Sequence, residues 1–357
     1  MKAHDTRTPA RRGLLALAAV AVFAVASCGD DDQTSTTTAA PATNAPAPEQ
    51  NLPTTIRIAY QQVPNGDLVV KNLGWLEEAF GDSVTIEWSL FDSGGSVNEA
   101  VVAGAVDIGL VGSSPTSRGI STGIEYQVPW IFDVIGKAES LVAKEGITTI
   151  GDLVGKTVAT PFASTAHFSL LAALEDAGVA ESDVKIIDAA PDDIFAAWQQ
   201  GDIDAAYVWN PNLAKLIADG GSVLVTSADL AAKGKTTYDL AIVTNEFAEA
   251  YPDAVKIWVE QQDRAVKLIR DDPQAAAEAI AVELNISAAE ALAQLGDLVF
   301  LDASEQTGAD YLGGGLATNL FAAAEFNVAQ GKIPEAKDAS VYAAAVNRSF
   351  AQAVAAG

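Results

Sequence analysis

Cysteine and histidine are almost absent from this chain: there is one Cys, Cys28, and two His, His4 and His167. A single thiol leaves no intramolecular disulfide, no Cys-based zinc site and no paired-thiol redox chemistry. One His beyond the N-terminal segment, with scattered carboxylates, matches no transition-metal spacing, and no metal or other cofactor is expected. Gly-x-Ser-x-Gly is also missing, so a serine hydrolase lacks its elbow. Positive charge is scarce. Against 47 Asp and Glu stand 21 Lys and Arg, a formal net charge of −26. No basic run follows the first residues, which excludes nucleic acid, because phosphate contacts need clustered positive charge. The same field repels small polyanions at long range, so a net neutral or cationic ligand suits the chain better. Long apolar stretches are lacking too: residues 14–25 fall short of the roughly 20 that a membrane-spanning helix needs.

What the N-terminus does contain is an ordered set of signals. Lys2, Arg7, Arg11 and Arg12 precede the apolar run, which ends in Val25-Ala26-Ser27-Cys28. A basic start, a short apolar core and small residues before a Cys predict a secretory signal over residues 1–28. Cleavage would leave Cys28 as a lipidated N-terminus, holding an extracytoplasmic protein to the outer face of the cell membrane. Each buried methylene contributes about 0.8 kcal/mol, so two acyl chains hold where one is marginal. Residues 29–54, with Asp30, Asp31, Asp32, a Thr run and then Ala, Pro and Asn, cannot bury enough apolar surface to fold and predict a disordered tether. The remaining 300 or so residues, about 49% of the whole being hydrophobic, suffice for two domains.

From residue 55 onward, short β-branched runs alternate with helical stretches, which predicts an α/β fold. A first series places strands at 56–60, 85–91, 107–111 and 128–134, with helices at 68–80 and 97–103. A second places strands at 141–144, 157–161, 184–188, 205–209 and 223–226, with helices at 168–176 and 194–200. One more strand, 240–244, precedes an Ala-rich helical region over 246–293 broken at Pro252 and Pro273. Two α/β sets followed by a helical return imply that the middle segment is inserted into the first domain. One lobe then comprises 55–137 and 244–357 and the other 138–243, joined by two crossover strands near 136–140 and 240–244. Ligands of open α/β sheets sit beyond the carboxyl ends of strands, which makes the residues just after each strand informative.

Three such junctions carry candidate chemistry. Gly112-Ser113-Ser114-Pro115 has the Ser-before-Pro signature of a helix start, where free amides and the positive dipole end seat an anionic oxygen. Phe162-Ala163-Ser164-Thr165-Ala166-His167 repeats the logic in the second set, while Asp92-Ser93-Gly94-Gly95-Ser96 is a weaker third. A cap that only begins a helix remains the plain alternative for each. For a cation, Trp209, Trp130 and Asp239 are candidates, since an aromatic face attracts an ammonium and a carboxylate neutralises it. Either Trp could instead be core. Asp239, just before an apolar strand, is costly to shield without a partner. Asp133 holds the comparable place at the first crossing and could equally be a hinge hydrogen bond. His167 falls in a helix start, where capping or packing is its expected role, and Gly313-Gly314-Gly315 is expected to be an ordinary loop.

These stretches, together with Phe91-Asp92-Ser93-Gly94, Tyr60-Gln61, the run from Ala196 to Trp209 and Thr237-Tyr238-Asp239, resemble the taurine and aliphatic-sulfonate substrate-binding family of ABC importers. The likeness spans residues 56 to about 260 and fades beyond Val299. It implies a type II periplasmic-binding-protein fold that closes over an aminosulfonate and hands it to a membrane permease, as a monomer and without catalysis. By resemblance Ser113, Ser114, Ser164 and Thr165 would face the sulfonate, Asp239 would hold the ammonium, Trp209 would wall the pocket, and Gln61, Trp130 and Asp133 would line it. Taurine has no net charge and escapes the acidic field. The chain departs from the family at Gly234-Lys235-Thr236-Thr237 and at Asn210, and Lys235 leaves open a longer or more acidic sulfonate. Another small sulfonate, nitrate, an amino-acid-like ligand, or a related-fold enzyme acting on pyrimidines or sulfinates are the alternative readings.

Overall fold

Eleven strands build two sheets among the residues that the computed structural model describes, 51–357. The expected signal, the lipid site at Cys28 and residues 29–50 of the expected tether lie outside the described residues. Residues 51–54 are packed and not part of a tether: Asn51 Nδ2 donates to the Ala250 carbonyl at 2.8 Å, and Leu52 lies against the core. Leu52 and Pro53 give this segment apolar surface to bury.

The first sheet has the order β11-β4-β10-β3-β1-β2, with β1 Thr55–Tyr60, β2 Thr85–Leu90, β3 Ile108–Gly112, β4 Tyr126–Ile135, β10 Tyr238–Thr244 and β11 Leu298–Val299. The second has the order β7-β6-β8-β5-β9, with β5 Glu139–Ala143, β6 Thr157–Thr160, β7 Lys185–Asp188, β8 Ala205–Trp209 and β9 Ser222–Thr226. β1 is parallel to β2 and β3, and β6 is parallel to β7 and β8, each through a helical crossover. β10 runs antiparallel between β3 and β4, and β5 antiparallel between β8 and β9.

Chain passage between the sheets occurs twice. The first passage is residues 136–138, between β4 and β5, within the expected 136–140. The second differs from expectation: β10 is paired in the first sheet along its whole length, so the return lies before Tyr238 and not within 240–244. The physical reason is burial, since Leu240, Ala241, Ile242 and Val243 are fully buried on both faces, as a central strand requires.

In the second sheet the side-chain period of two divides β8 between two cores. Ala205, Tyr207 and Trp209 pack with Leu141 and Val158 on one face, and Ala206 and Val208 pack with Val142 and Ile194 on the other. Pro252 and Pro273 each open a helix, Pro252–Asp271 and Pro273–Leu284, because a missing N–H costs nothing in a first turn. Gly313-Gly314-Gly315 is more than a loop: a Cβ on Gly315 would fall 2.1 Å from the Asp310 carbonyl oxygen. That tight turn starts the helix Gly315–Ala329, whose Phe326 meets Phe168 of the second sheet's layer at 4.7 Å between ring centroids. Among the described residues no helix is long and apolar enough to cross a membrane.

Candidate functional site

Strand direction decides which residues meet. β3 ends at Gly112; because β10 runs the other way, its second residue, Asp239, pairs with Gly112. Across β10, the same residue pairs with Asp133 near the end of β4. Three residues after β4, the second sheet begins with Glu139, which pairs with Trp209 at the end of β8. Two strand ends and two strand beginnings thus gather three carboxylates and a Trp between the sheets. The space there, about 440 Å³ free of protein atoms and partly open to solvent, is lined by Gln61, Glu139, Ser164, Thr165, Trp209, Asn210 and Asp239, with Gly112 and Pro115 at its floor.

Gln61, Ser164, Thr165, Trp209 and Asp239 therefore share one cleft. Asp133 lies directly behind Asp239, wholly buried. Ser113 and Ser114 stand at the helix start Ser113–Thr122, but neither side chain lines the space. The Ser113 hydroxyl accepts from the Tyr238 N–H at 3.1 Å, and the Ser114 hydroxyl accepts from Asn327 Nδ2 at 3.4 Å. Trp130, five residues before the end of β4, is 1% exposed and belongs to the first core. Lys235 is also away from the cleft: its ammonium sits 4.1 Å from the Phe326 ring centroid and 3.9 Å from Glu175.

The two helix starts differ in how they are capped. Ser164 caps the helix Thr165–Asp176 by accepting from the His167 N–H at 3.1 Å, while its hydroxyl donates to the Pro161 carbonyl at 2.5 Å. The helix Ser113–Thr122 follows Gly112 and has no side-chain cap at all. First-turn amides have no acceptor inside their own helix, so backbone N–H groups, more than serine hydroxyls, are the donors this floor offers an anion. The loop before Thr165 is held in an uncommon backbone shape, with Ala163 at φ 57°. His167 braces it: the ring stacks on Phe162 at 4.5 Å, and Nδ1 accepts from the Ala163 N–H at 3.4 Å. Burial, with Lys332 and Arg118 adding to it, pushes His167 down to about 4, so it is neutral near pH 7.

Glu139 is the main residue that sequence reading missed. It is 1% exposed and accepts from Thr165 Oγ1 at 2.5 Å, Ser227 Oγ at 2.9 Å and Ser169 Oγ at 3.3 Å. Burial still pushes it up to about 7, against those hydrogen bonds. The signal was present, since Glu139 opens a strand, ESLVA, that is buried at every position. That is the argument used for Asp239, applied to β5. Asn65 was missed as well; its Nδ2 donates to Asp133 Oδ2 at 3.2 Å. Burial raises Asp133 to about 7, with Asn65 opposing, and raises Asp239 well above the ordinary carboxylate range, with the charges of Asp133 and Glu139 adding to the effect. None of the ion pairs among the described residues includes any of these three acids. Nor is any group of three or more His, Cys, Asp and Glu among the described residues placed to hold a metal ion.

Two α/β sheets joined by two passages, with a cleft at the strand ends, define a periplasmic-binding-protein fold, and the chain belongs to the NMT1/THI5-like family, whose model matches residues 66–276. Over 204 residues it is 39% identical to the taurine-binding periplasmic protein of Escherichia coli (strain K12), a match covering 52% of this chain and 63%, less than two thirds, of that relative. Among solved structures, the alkanesulfonate-binding protein SsuA from Xanthomonas axonopodis pv. citri bound to MOPS superposes with a TM-score of 0.67 at 23% identity, covering 79% of this chain and 95% of that one. The aliphatic sulphonate binding protein SsuA from Escherichia coli gives 0.66 at 24% identity over 82% and 92% of the two chains. At these identities the structural likeness establishes the fold.

Proposed function

We propose that this protein binds taurine or a similar small aminosulfonate in the cleft and passes it to an ABC permease, performing no chemistry on it. The observation that carries the reading is the pairing of opposites in one cleft: helix-start amides at Gly112–Ser114 on one side, and buried acids without a cationic side-chain partner on the other. A sulfonate needs the first and an ammonium the second. The likeness to a taurine-binding relative supports the same ligand class. In this reading the sulfonate lies on the amides that open the helices Ser113–Thr122 and Thr165–Asp176, with Thr165 beside it. Asp239, backed by Asp133 and flanked by Glu139, takes the ammonium, while Trp209 and Gln61 enclose the ligand. Residues 55–135 together with 238–357 supply one lobe and residues 139–237 the other, and the two swing about the passages at 136–138 and before Tyr238, closing on the ligand and excluding water, which strengthens each polar contact. The lipidated Cys28 and the following residues would keep this unit near the permease, outside the cytoplasm.

Serine-hydrolase-type catalysis is disfavoured because His167, the one His in the described residues, is neutral, stacked and turned toward the Ala163 amide, so no imidazole there serves a hydroxyl nucleophile. Titration calorimetry with taurine, ethanesulfonate, nitrate and glycine tests the assignment. Taurine should bind most tightly. Tighter binding of nitrate or ethanesulfonate would overturn it, and turnover of any sulfur compound would overturn the non-enzymatic reading.

A further inference from the structure

Asp133 and Asp239 face each other on adjacent antiparallel strands. Opposed side chains in such a pair have Cβ atoms roughly 5 Å apart, so the two carboxyl groups meet. Asp133 is wholly buried and Asp239 is 8% exposed. Asn65 supplies one donor to Asp133 Oδ2, but Asp133 Oδ1 is buried with no donor among the described residues. Asp239, opposite it on β10 and within hydrogen-bonding reach, is another acceptor. The surroundings bring no compensating charge. Glu139 at the start of β5 is a third acid. β3 carries no ionisable side chain, Glu246 and Glu249 lie on the helix Asn245–Ala250 at the far end of β10, and Arg118 lies on the helix Ser113–Thr122. Asp67 packs behind Asn65 and is bonded to Gln262, while Asp263, on the helix that covers β4, is paired with Lys267. Two carboxylates at this spacing in a dry setting cannot both stay ionised.

We propose that Asp133 and Asp239 act as one unit that shares a single proton when the cleft holds no cation, which makes Asp133 a specificity-determining residue although it does not reach the ligand. The orphaned Oδ1 is then explained, because a proton between the groups turns two facing acceptors into a hydrogen bond. A ligand with an ammonium replaces that proton, which leaves for solvent, and two ionised carboxylates then face one cation. A plain sulfonate offers no replacement and binds with the proton retained. Cleft selectivity is therefore set by pH: aminosulfonate binding strengthens as pH rises, and plain sulfonate binding weakens. This deepens the aminosulfonate reading and rests on it.

The test is calorimetry of taurine and ethanesulfonate between pH 6 and 8, in two buffers of different ionisation enthalpy, with infrared spectra of the ligand-free protein carrying isotope-labelled Asp. Taurine should release up to one proton and tighten by up to about tenfold per pH unit, while ethanesulfonate takes up a proton wherever the free pair has lost it and weakens accordingly. The infrared spectrum at pH 7 should show the carbonyl stretch of a buried, protonated Asp. In Asp133→Asn the amide donates to Asp239, which stays ionised; the proton release should vanish, that stretch should fall to the part contributed by Asp67, which burial also raises, and the preference for taurine at pH 6 should rise to the wild-type value at pH 8. Both wild-type readings stand without the variant, should it fail to fold. Taurine binding with no proton release, or no acid stretch, overturns the shared proton. An acid stretch that falls in this way in Asp133→Asn, with no taurine binding at all, would leave the pair standing and overturn the ligand assignment.

Discussion

Replacing Gly112 by Ala adds one methyl group at the end of β3, facing Thr165 across the cleft. That Cβ would lie 2.6 Å from Thr165 Cγ2, 3.5 Å from Thr165 Oγ1 and 3.6 Å from Pro115 Cγ. Gly112 has φ −59° and ψ 157°, a conformation open to any residue, so alanine brings no backbone strain. The whole conflict is with Thr165, across the cleft. Turning Thr165 aside would relieve it, but Thr165 Oγ1 is bound to Glu139 at 2.5 Å, and a hydrogen bond to a charged group contributes about 1.5–3 kcal/mol. The alternative is for the sheets to stand further apart, which loosens the same enclosure. Either route should weaken taurine binding by about 10- to 100-fold, at about 1.4 kcal/mol per tenfold. Thr165→Ser removes the offending methyl and keeps the hydroxyl, so the double variant should recover most of the affinity in a calorimetric double-mutant cycle. Urea unfolding of ligand-free Gly112→Ala should stay within about 0.5 kcal/mol of wild type, because an open cleft has no clash to relieve. Wild-type affinity for Gly112→Ala, or no recovery in the double variant, would refute closure through this contact.

Asp239→Ala should cost taurine about 2–4 kcal/mol, since the ammonium is left without its acid, and cost ethanesulfonate far less; equal losses by calorimetry would remove Asp239 from the ammonium site. Glu139→Gln keeps the shape but gives Thr165, Ser169 and Ser227 a neutral acceptor. Taurine should weaken by at least about tenfold, and an unchanged dissociation constant would make Glu139 purely structural. Stability should fall as pH rises from 6.5 to 8. Burial holds Asp67, Asp133 and Glu139 at about 7 in the folded chain, above their unfolded values, so each stabilises the fold at acid pH and loses that contribution as pH passes through 7. His167, lowered to about 4, acts in the opposite sense and offsets only about 0.4 kcal/mol across this window, so the acids dominate it. Each should contribute a loss of about 0.8 kcal/mol, roughly 2 kcal/mol together, read by urea unfolding of the ligand-free protein, with Asp67→Asn removing about a third. Flat or rising stability would contradict the assignment.

Most of the fold could be read because its signals are local. The run Ile108–Gly112 and the run Ala205–Trp209 are buried at every position, and such strands announce themselves by continuous apolar composition. Ser164 and Pro252 mark helix starts through capping and through a fixed φ, both properties of a single residue. What escaped depended on pairing. That β10 sits between β3 and β4 follows from register, so the return passage was placed too late. Ser113 and Ser114 carry the residue types of an anion site, yet each hydroxyl meets a partner more than one hundred residues away, Tyr238 N–H or Asn327. Glu139 was overlooked because an acid opening a strand reads as a solvated end until the opposite sheet edge covers it.

The charge balance of the cleft connects composition to ligand class. Glu139 is met by three hydroxyl donors and can remain ionised with no cation. Asp133 and Asp239 together carry about one negative charge when they share a proton, and an ammonium that takes the place of that proton leaves the balance unchanged. On the other side a sulfonate would meet helix-start amides, which supply roughly half a positive charge per helix with no Lys or Arg side chain. A ligand bearing one charge of each sign therefore adds little uncompensated charge to a space that excludes water. A doubly anionic ligand would meet amides on one face and acids on the other, with nothing among the lining residues to neutralise its second charge. A surface as acidic as this one is then no obstacle, because the ligand that fits has no net charge for that surface to repel.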